Sequence, residues 1–278
     1  GIAYAVILVG ALLAATTGVV AASVIAMGLI SLPIMLRYGY SKSLACGTIC
    51  AAGTLAQIIP PSLVLIVMGD VIGVPISDMY KGALLPSAML VALFVLAIFL
   101  VSIVKPSAVP AIPEEARREH GTALYLHALK TLVPPLALIF LVLGTIFLGI
   151  ATPTEGGAMG ATGALVLAFL RRRLDRHLLK QALDDTTRLT TFVVFVLIGS
   201  TIFALVFRAV DGDLWVEGLF KLVPGGVWGY LLVVNLLVFI LGCFIDFFEI
   251  VYILIPLLVP VAHKLGIDMV WFGVMVSM

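Results

Sequence analysis

The residues best suited to chemistry in this sequence are oxygen donors placed at breaks in apolar runs. Gly53-Thr54-Leu55-Ala56-Gln57-Ile58-Ile59-Pro60-Pro61-Ser62 is the richest stretch. Adjacent prolines remove two backbone donors and forbid a continuous helix. In a dry environment the carbonyls they free need other partners. A coupling cation is one such partner, and sodium suits an all-oxygen ligand set. Thr54 and Ser62 add hydroxyls on either side of the break. A second polar point, Thr16-Thr17-Gly18, interrupts the first apolar run and offers small residues, hydroxyls and carbonyls as an opposite wall. A third is Asp246 with Glu249, three positions apart in the last long apolar run. Ionisable groups at membrane depth are costly and point to function by default.

Enzyme chemistry is poorly supplied. A serine protease inside a membrane needs a nucleophile and a histidine base at the same depth. Ser200 follows Gly199 in an apolar run, but His120, His127, His177 and His263 fall in loops or at segment ends. No HExxH metal motif occurs. Cys46, Cys50 and Cys243 lie in apolar runs at spacings that match no zinc or redox motif.

Composition sets the elements that must carry these residues. The 278 residues are 63% hydrophobic and 11% charged, against about 25% charged in a soluble domain. Such a chain cannot cover a water-facing surface and belongs in lipid. The net charge of +1 gives no reason to expect nucleic acid. The apolar runs are long and do not alternate, so the fold class is all-α and polytopic rather than a barrel.

The segmentation predicts a re-entrant hairpin over 1–36 and a broken helix over 44–76. Spans follow at 83–104, 131–150 and 191–207, with a shorter apolar run at 156–170. Residues 105–130 read as a polar loop, 171–190 as a surface helix and 208–226 as a mildly acidic loop. A second hairpin covers 227–262. Three regions result: 1–76 as the first half of a transport domain, 77–226 as scaffold and connecting helices, and 227–278 as the second hairpin with the start of a broken helix. Positive charge places Arg37 and Lys42, the 105–130 loop and Arg171-Arg172-Arg173 in the cytoplasm. Glu155 is expected near a helix start with Thr154 as N-cap. Asp70 reads as a solvated helix end.

The first and last apolar runs share an order: helix, polar tip, proline-containing helix, turn, new helix. Pro33 corresponds to Pro260, and Gly47 falls close to Gly273. Opposite orientations of two such units mark an inverted repeat of the secondary-transporter kind. Both ends of the sequence lie inside apolar runs, so it is expected to be cut at both, with the partner of the Pro60-Pro61-Ser62 break beyond Met278.

Together these blocks resemble the large permease subunit of the tripartite ATP-independent periplasmic (TRAP) transporters. Gly53 to Ser62 is similar to that family's glycine-rich stretch ending in Pro-Pro-Ser. Gly149-Ile150-Ala151-Thr152-Pro153-Thr154-Glu155-Gly156 is similar to its Thr-Pro-Thr-Glu block. Asp246 to Pro260, then Gly266-Ile267-Asp268, resembles its late hairpin and turn. The resemblance implies sodium-driven uptake of a small organic anion by an elevator-type movement across a bacterial inner membrane. It also implies a small four-helix membrane subunit and a periplasmic solute-binding protein as partners. Sodium sites are then expected at Thr16, Thr17 and Gly18, at Gly53, Thr54, Pro60 and Ser62, and at Asp246. A solute carboxylate is expected beside Thr17, Gln57, Pro61, Ser62 and Glu249. The first tip departs from the family's serine-rich pattern, which puts its ligand set in question. The family's final Thr-Pro-Pro-Gly-like break is absent from these residues, so this stretch alone is not expected to transport. A cation-coupled symporter of the same superfamily that works without a binding protein is the alternative, and an intramembrane enzyme the remote one.

Overall fold

The computed structural model describes residues 1–17, 20–110 and 122–278, and every regular element among them is helical. By length and composition, four helical stretches can cross a bilayer: Ile76–Val104, Leu129–Phe147, Arg176–Ala209 and Phe247–Lys264. The chain divides into two compact units, residues 1–63 with 80–170 and residues 64–79 with 171–278.

In the first unit, α1 (Ile2–Thr17) and α2 (Val20–Arg37) form a helical hairpin, and both pack on α3 (Lys42–Thr54). Ala3, Val6 and Ile7 near the start of α1 share a core with Met27 and Met35 of α2 and with Ala45, Ile49 and Ala52 of α3. Small residues let these helices approach closely. A Cβ on Gly10 would stand 2.6 Å from that of Ala52, and one on Gly53 would stand 2.3 Å from Val24 Cγ2. Beyond α3 the chain tightens into a 3₁₀ turn, Leu55–Gln57, and then breaks until α4 (Leu63–Ile72) begins. The rest of this unit is most of α5 (Ile76–Val104), with α6 (Thr122–Phe147) packed on α7 (Pro153–Leu170).

The N-terminus of α7 corrects one expectation. Thr152, not Thr154, is the cap: its Oγ1 accepts from the Glu155 N–H at 3.3 Å. The Glu155 carboxylate reaches back to the Thr152 N–H at 2.7 Å and accepts from the Thr152 hydroxyl at 2.9 Å. Pro153 suits the first helical position because its missing N–H is one the helix start leaves unused. That moves the cap one residue ahead of the proline and completes a reciprocal capping box.

The second unit holds nearly all of α4, the first turn of α5, and then α8 (Arg176–Ala209), α9 (Gly212–Lys221), α10 (Gly226–Leu241), α11 (Phe247–Glu249), α12 (Ile255–Lys264) and α13 (Met269–Ser277). Two expectations change here. The surface helix over 171–190 is not separate: 176–190 continue without interruption into the span as α8. Asp175 caps its start by accepting from the Leu178 N–H at 2.6 Å. No proline interrupts 176–209, so nothing stops the helix at the polar-to-apolar boundary. The 208–226 stretch is not simply a loop either, because α9 forms within it. Glu217 holds α9 to α12 through Lys264 at 2.5 Å and pairs with Lys221 along its own helix at 3.2 Å.

Between α11 and α12 lies a π-helical turn, Ile250–Leu254, where Ile255 donates to the Ile250 carbonyl five residues back. Pro256 has no N–H to return to Tyr252, so the register slips there. Tyr230 of α10 donates its hydroxyl to the Leu258 carbonyl at 2.9 Å and stacks on Phe272 of α13.

The turns that follow α2 and α12 use the same hydrogen bonds at a constant displacement along the chain. Gly39, at φ 80°, donates to Leu36, and Gly266, at φ 70°, donates to His263. Tyr40 donates to Met35, and Ile267 to Ala262. Ser41 caps α3 by accepting from the Leu44 N–H, and Asp268 caps α13 by accepting from the Trp271 N–H. Pro33 and Pro260 stand at that displacement too.

Candidate functional site

The break after α3 is held by side chains. The Ile58 and Ile59 N–H groups both donate to the Leu55 carbonyl, at 3.1 and 3.0 Å. The Pro60-Pro61 peptide bond is cis. Ser62 is fully buried, and its hydroxyl donates to the Gln57 carbonyl across the break. Its backbone N–H donates to the phenol oxygen of Tyr80, which is 1% exposed and meets Phe147 edge to face. The loose ends of two half-helices are thus tied by Ser62 and Tyr80, so the break is a built feature rather than a frayed one.

The hydroxyls expected to act as ligands both donate inward. Thr54 gives its proton to the Ala51 carbonyl at 2.9 Å, and Ser62 gives its own to Gln57. Each oxygen keeps lone pairs, which is what a cation takes. Thr54 is exposed, whereas Gly53, Pro60 and Ser62 are buried and Gln57 and Pro61 are partly so.

The helices of the first hairpin pack on this break. Val20, the first residue of α2, and Ala11 of α1 pack on Leu55 and Ala56 of the 3₁₀ turn. Gly53 meets Val24. Gly18 lies outside the described residues, as do the side chains of Thr16 and Thr17, while the backbone of both threonines forms the last turn of α1. Of the predicted polar loop over 105–130, residues 111–121 lie outside the described residues, and from Thr122 onward the backbone is already α6.

Asp246 and Glu249 belong to the second unit. Asp246 is exposed and precedes α11 without a side-chain capping bond. Glu249 is partly buried, and its Oε2 is buried with no hydrogen-bond partner among the described residues. It enters the π turn directly. No group of three or more His, Cys, Asp or Glu that could hold a metal occurs among the described residues.

Sequence reasoning missed Tyr80, because a lone tyrosine in an apolar run carries no spacing signal. Asp70 is exposed in the last turn of α4, as expected of a solvated helix end, and it also lines a cavity with Arg208 and Tyr252 in the second unit.

Comparison with known proteins completes the picture. The family model of the tripartite ATP-independent periplasmic transporter, DctM component, matches residues 1–278. A C4-dicarboxylate TRAP transporter large permease protein of Pseudomonas aeruginosa is 30% identical over 275 residues, covering 99% of this chain and 63% of its own. The sialic acid TRAP transporter large permease protein of Vibrio cholerae is 29% identical over 90% of this chain and 57% of its own. The ectoine TRAP transporter large permease protein of Halomonas elongata is 28% identical over 96% of this chain and 61% of its own. The chain spans a little under two thirds of the length of the curated relatives it matches. These relatives are transport proteins rather than enzymes, and the apolar helices suit an integral protein of the inner membrane. A match over every residue, resting on a helical membrane architecture, makes this chain a member of the DctM family, the large permease component of tripartite ATP-independent periplasmic transporters.

Proposed function

We propose that this chain carries the ion- and solute-binding part of a sodium-coupled uptake system for a small organic acid. The observation that supports this most is the buried break at 58–62, tied by Ser62 and approached by the first hairpin. Broken backbone inside an apolar protein survives only where other groups satisfy it, and half-helix ends there are suited to ions and carboxylates. Sodium is coordinated by oxygens of Thr16, Thr17, Gly18, Gly53, Thr54, Pro60 and Ser62 on the first hairpin's side, and by the Asp246 region in the second unit. In the first unit the solute carboxylate lies beside Thr17, Gln57, Pro61 and Ser62.

The matching cap bonds after α2 and α12 support an inverted repeat and hence an elevator-type movement. A small membrane subunit and a periplasmic binding protein complete the system, as the family's tripartite description suggests. Relatives named for C4-dicarboxylates, sialic acid and isethionate support an organic acid as cargo.

The test is uptake into proteoliposomes by the full-length protein with its small subunit, its binding protein and candidate acids, with and without an inward sodium gradient. Uptake that requires both sodium and the binding protein is expected. Sodium-driven uptake of free solute without the binding protein would replace this reading by an ordinary symporter. Uptake indifferent to sodium would remove the ion sites.

A further inference from the structure

One face of α8 carries Leu197, Ser200, Thr201, Ala204, Leu205 and Arg208 at helical spacing, and this face lines a cavity of about 270 Å³. Asp70 of α4 and Tyr252 of the π turn supply the rest of its polar wall. The cavity therefore gathers a guanidinium, a carboxylate, two aliphatic hydroxyls and a phenol on three different elements of the second unit.

The state of these groups points to a ligand. The Asp70 and Arg208 side chains are both exposed to this cavity and its mouth, yet they form no ion pair with each other and no side-chain hydrogen bond among the described residues. Ser200 and Thr201 both donate to the Leu197 carbonyl, at 2.9 and 2.7 Å, so their oxygens are left as acceptors. The Tyr252 hydroxyl has no hydrogen bond among the described residues. A terminal arginine on α8 alone would be accounted for by the helix dipole. The dipole does not account for a carboxylate, two hydroxyls and a phenol around the same space.

From this we infer that the cavity binds a small carboxylate that also carries a hydrogen-bond donor, a hydroxyl or an ammonium, near its carboxyl group. The Arg208 fork takes the carboxylate in the two-point geometry that suits it. Asp70, Ser200 and Thr201 accept from the ligand's donor, and Tyr252 can donate to the carboxylate. The volume, below the range of about 300–1,000 Å³ usual for drug-sized ligands, selects a small solute. This assignment rests on the proposed uptake of organic acids: the cavity is a second site for that class, apart from the break at Ser62, and it selects 2-hydroxy or 2-amino acids.

The test uses purified full-length protein in detergent, titrated separately with propionate, L-lactate and L-alanine, with binding read from the unfolding midpoint. Lactate, alanine or both should bind at least tenfold tighter than propionate. R208Q should abolish binding of all three and R208K should weaken it. D70N should bring lactate and alanine down to the level of propionate. The ligand-free midpoint of each variant checks that it folds, and S200A offers a milder second lesion that should weaken lactate or alanine without touching propionate. Equal affinity for the three probes, no measurable binding of any, or binding unchanged in R208Q overturns the assignment. So does stabilisation by phosphatidylglycerol with no response to the soluble probes, which would make the cavity a lipid headgroup site. Sodium-driven uptake by the wild-type assembly, measured alongside, separates the two proposals. Intact uptake with no probe discrimination sinks the cavity assignment alone. Discriminating binding with no sodium-driven uptake sinks the transport reading alone.

Discussion

Gly53 and Gly47 stand in the same helix, yet replacing each with alanine should move stability in opposite directions. A Cβ at Gly53 would lie 2.3 Å from Val24 Cγ2 and 3.1 Å from both Val24 Cα and Val24 N. The valine side chain has one preferred rotamer in a helix, and its backbone atoms can retreat only if α2 moves. Overpacking of this kind costs about 1–3 kcal/mol, against about 1 kcal/mol gained from the better helix propensity of alanine. At Gly47 nothing lies within 4 Å and the position is exposed, so only the propensity gain operates. G47A should therefore stabilise by roughly 0.5–1 kcal/mol, and G53A should destabilise by up to about 2 kcal/mol. Unfolding of the full-length protein in mixed detergent micelles measures both. Uptake supplies a second readout: Val24 lies just beyond the hairpin tip, so G53A should lower sodium-dependent uptake more than its stability loss explains. G53A as stable as G47A, with uptake intact, would show that the α2–α3 contact does not constrain the site.

Three further outcomes follow from the same geometry. S62A leaves the Gln57 carbonyl without its side-chain donor in a fully buried place, so it should cost about 1–3 kcal/mol and weaken sodium activation of uptake; S62T should restore part of the sodium response. Y230F removes the 2.9 Å bond to the Leu258 carbonyl from a residue only 2% exposed, and should lower stability by about 1 kcal/mol with little change in sodium dependence. The Glu155 carboxyl is held below its ordinary range chiefly by the Thr152 N–H and then by the Thr152 hydroxyl. A depressed carboxyl stabilises the folded state above the unfolded-state value and loses that contribution as pH falls through the folded-state value. The stability gap between wild type and E155Q should thus be constant at neutral pH and close only in acid, while a gap that widened in acid would contradict the capping box.

Much of the fold was legible because membrane helices are dictated locally. Every backbone group must be satisfied within its own segment, so long apolar runs had to be helices, and Pro60-Pro61 had to break one. The hairpin α1–α2 and the turn after it follow from a polar break and from Gly39, which tolerates positive φ, whereas the Ser41 cap was seen only in the structure. Local rules failed where neighbours or registers competed. Thr154 looked like a cap until Pro153 took the first helical position and passed the role to Thr152. The charged stretch after Arg176 looked like a separate surface helix, but hydropathy changes along α8 without any backbone reason for the helix to stop.

The sequence by itself determined the membrane class, the positions of the breaks and the kinds of atom available at them. Proline, glycine and hydropathy act through the backbone of the residues that carry them. The tertiary structure alone decided which distant side chains serve those breaks. Tyr80 reaches the N–H of Ser62, Val24 closes on Gly53, and Asp70, Arg208 and Tyr252 meet at one cavity. Such meetings depend on how helices far apart in the chain pack, and no local spacing encodes that.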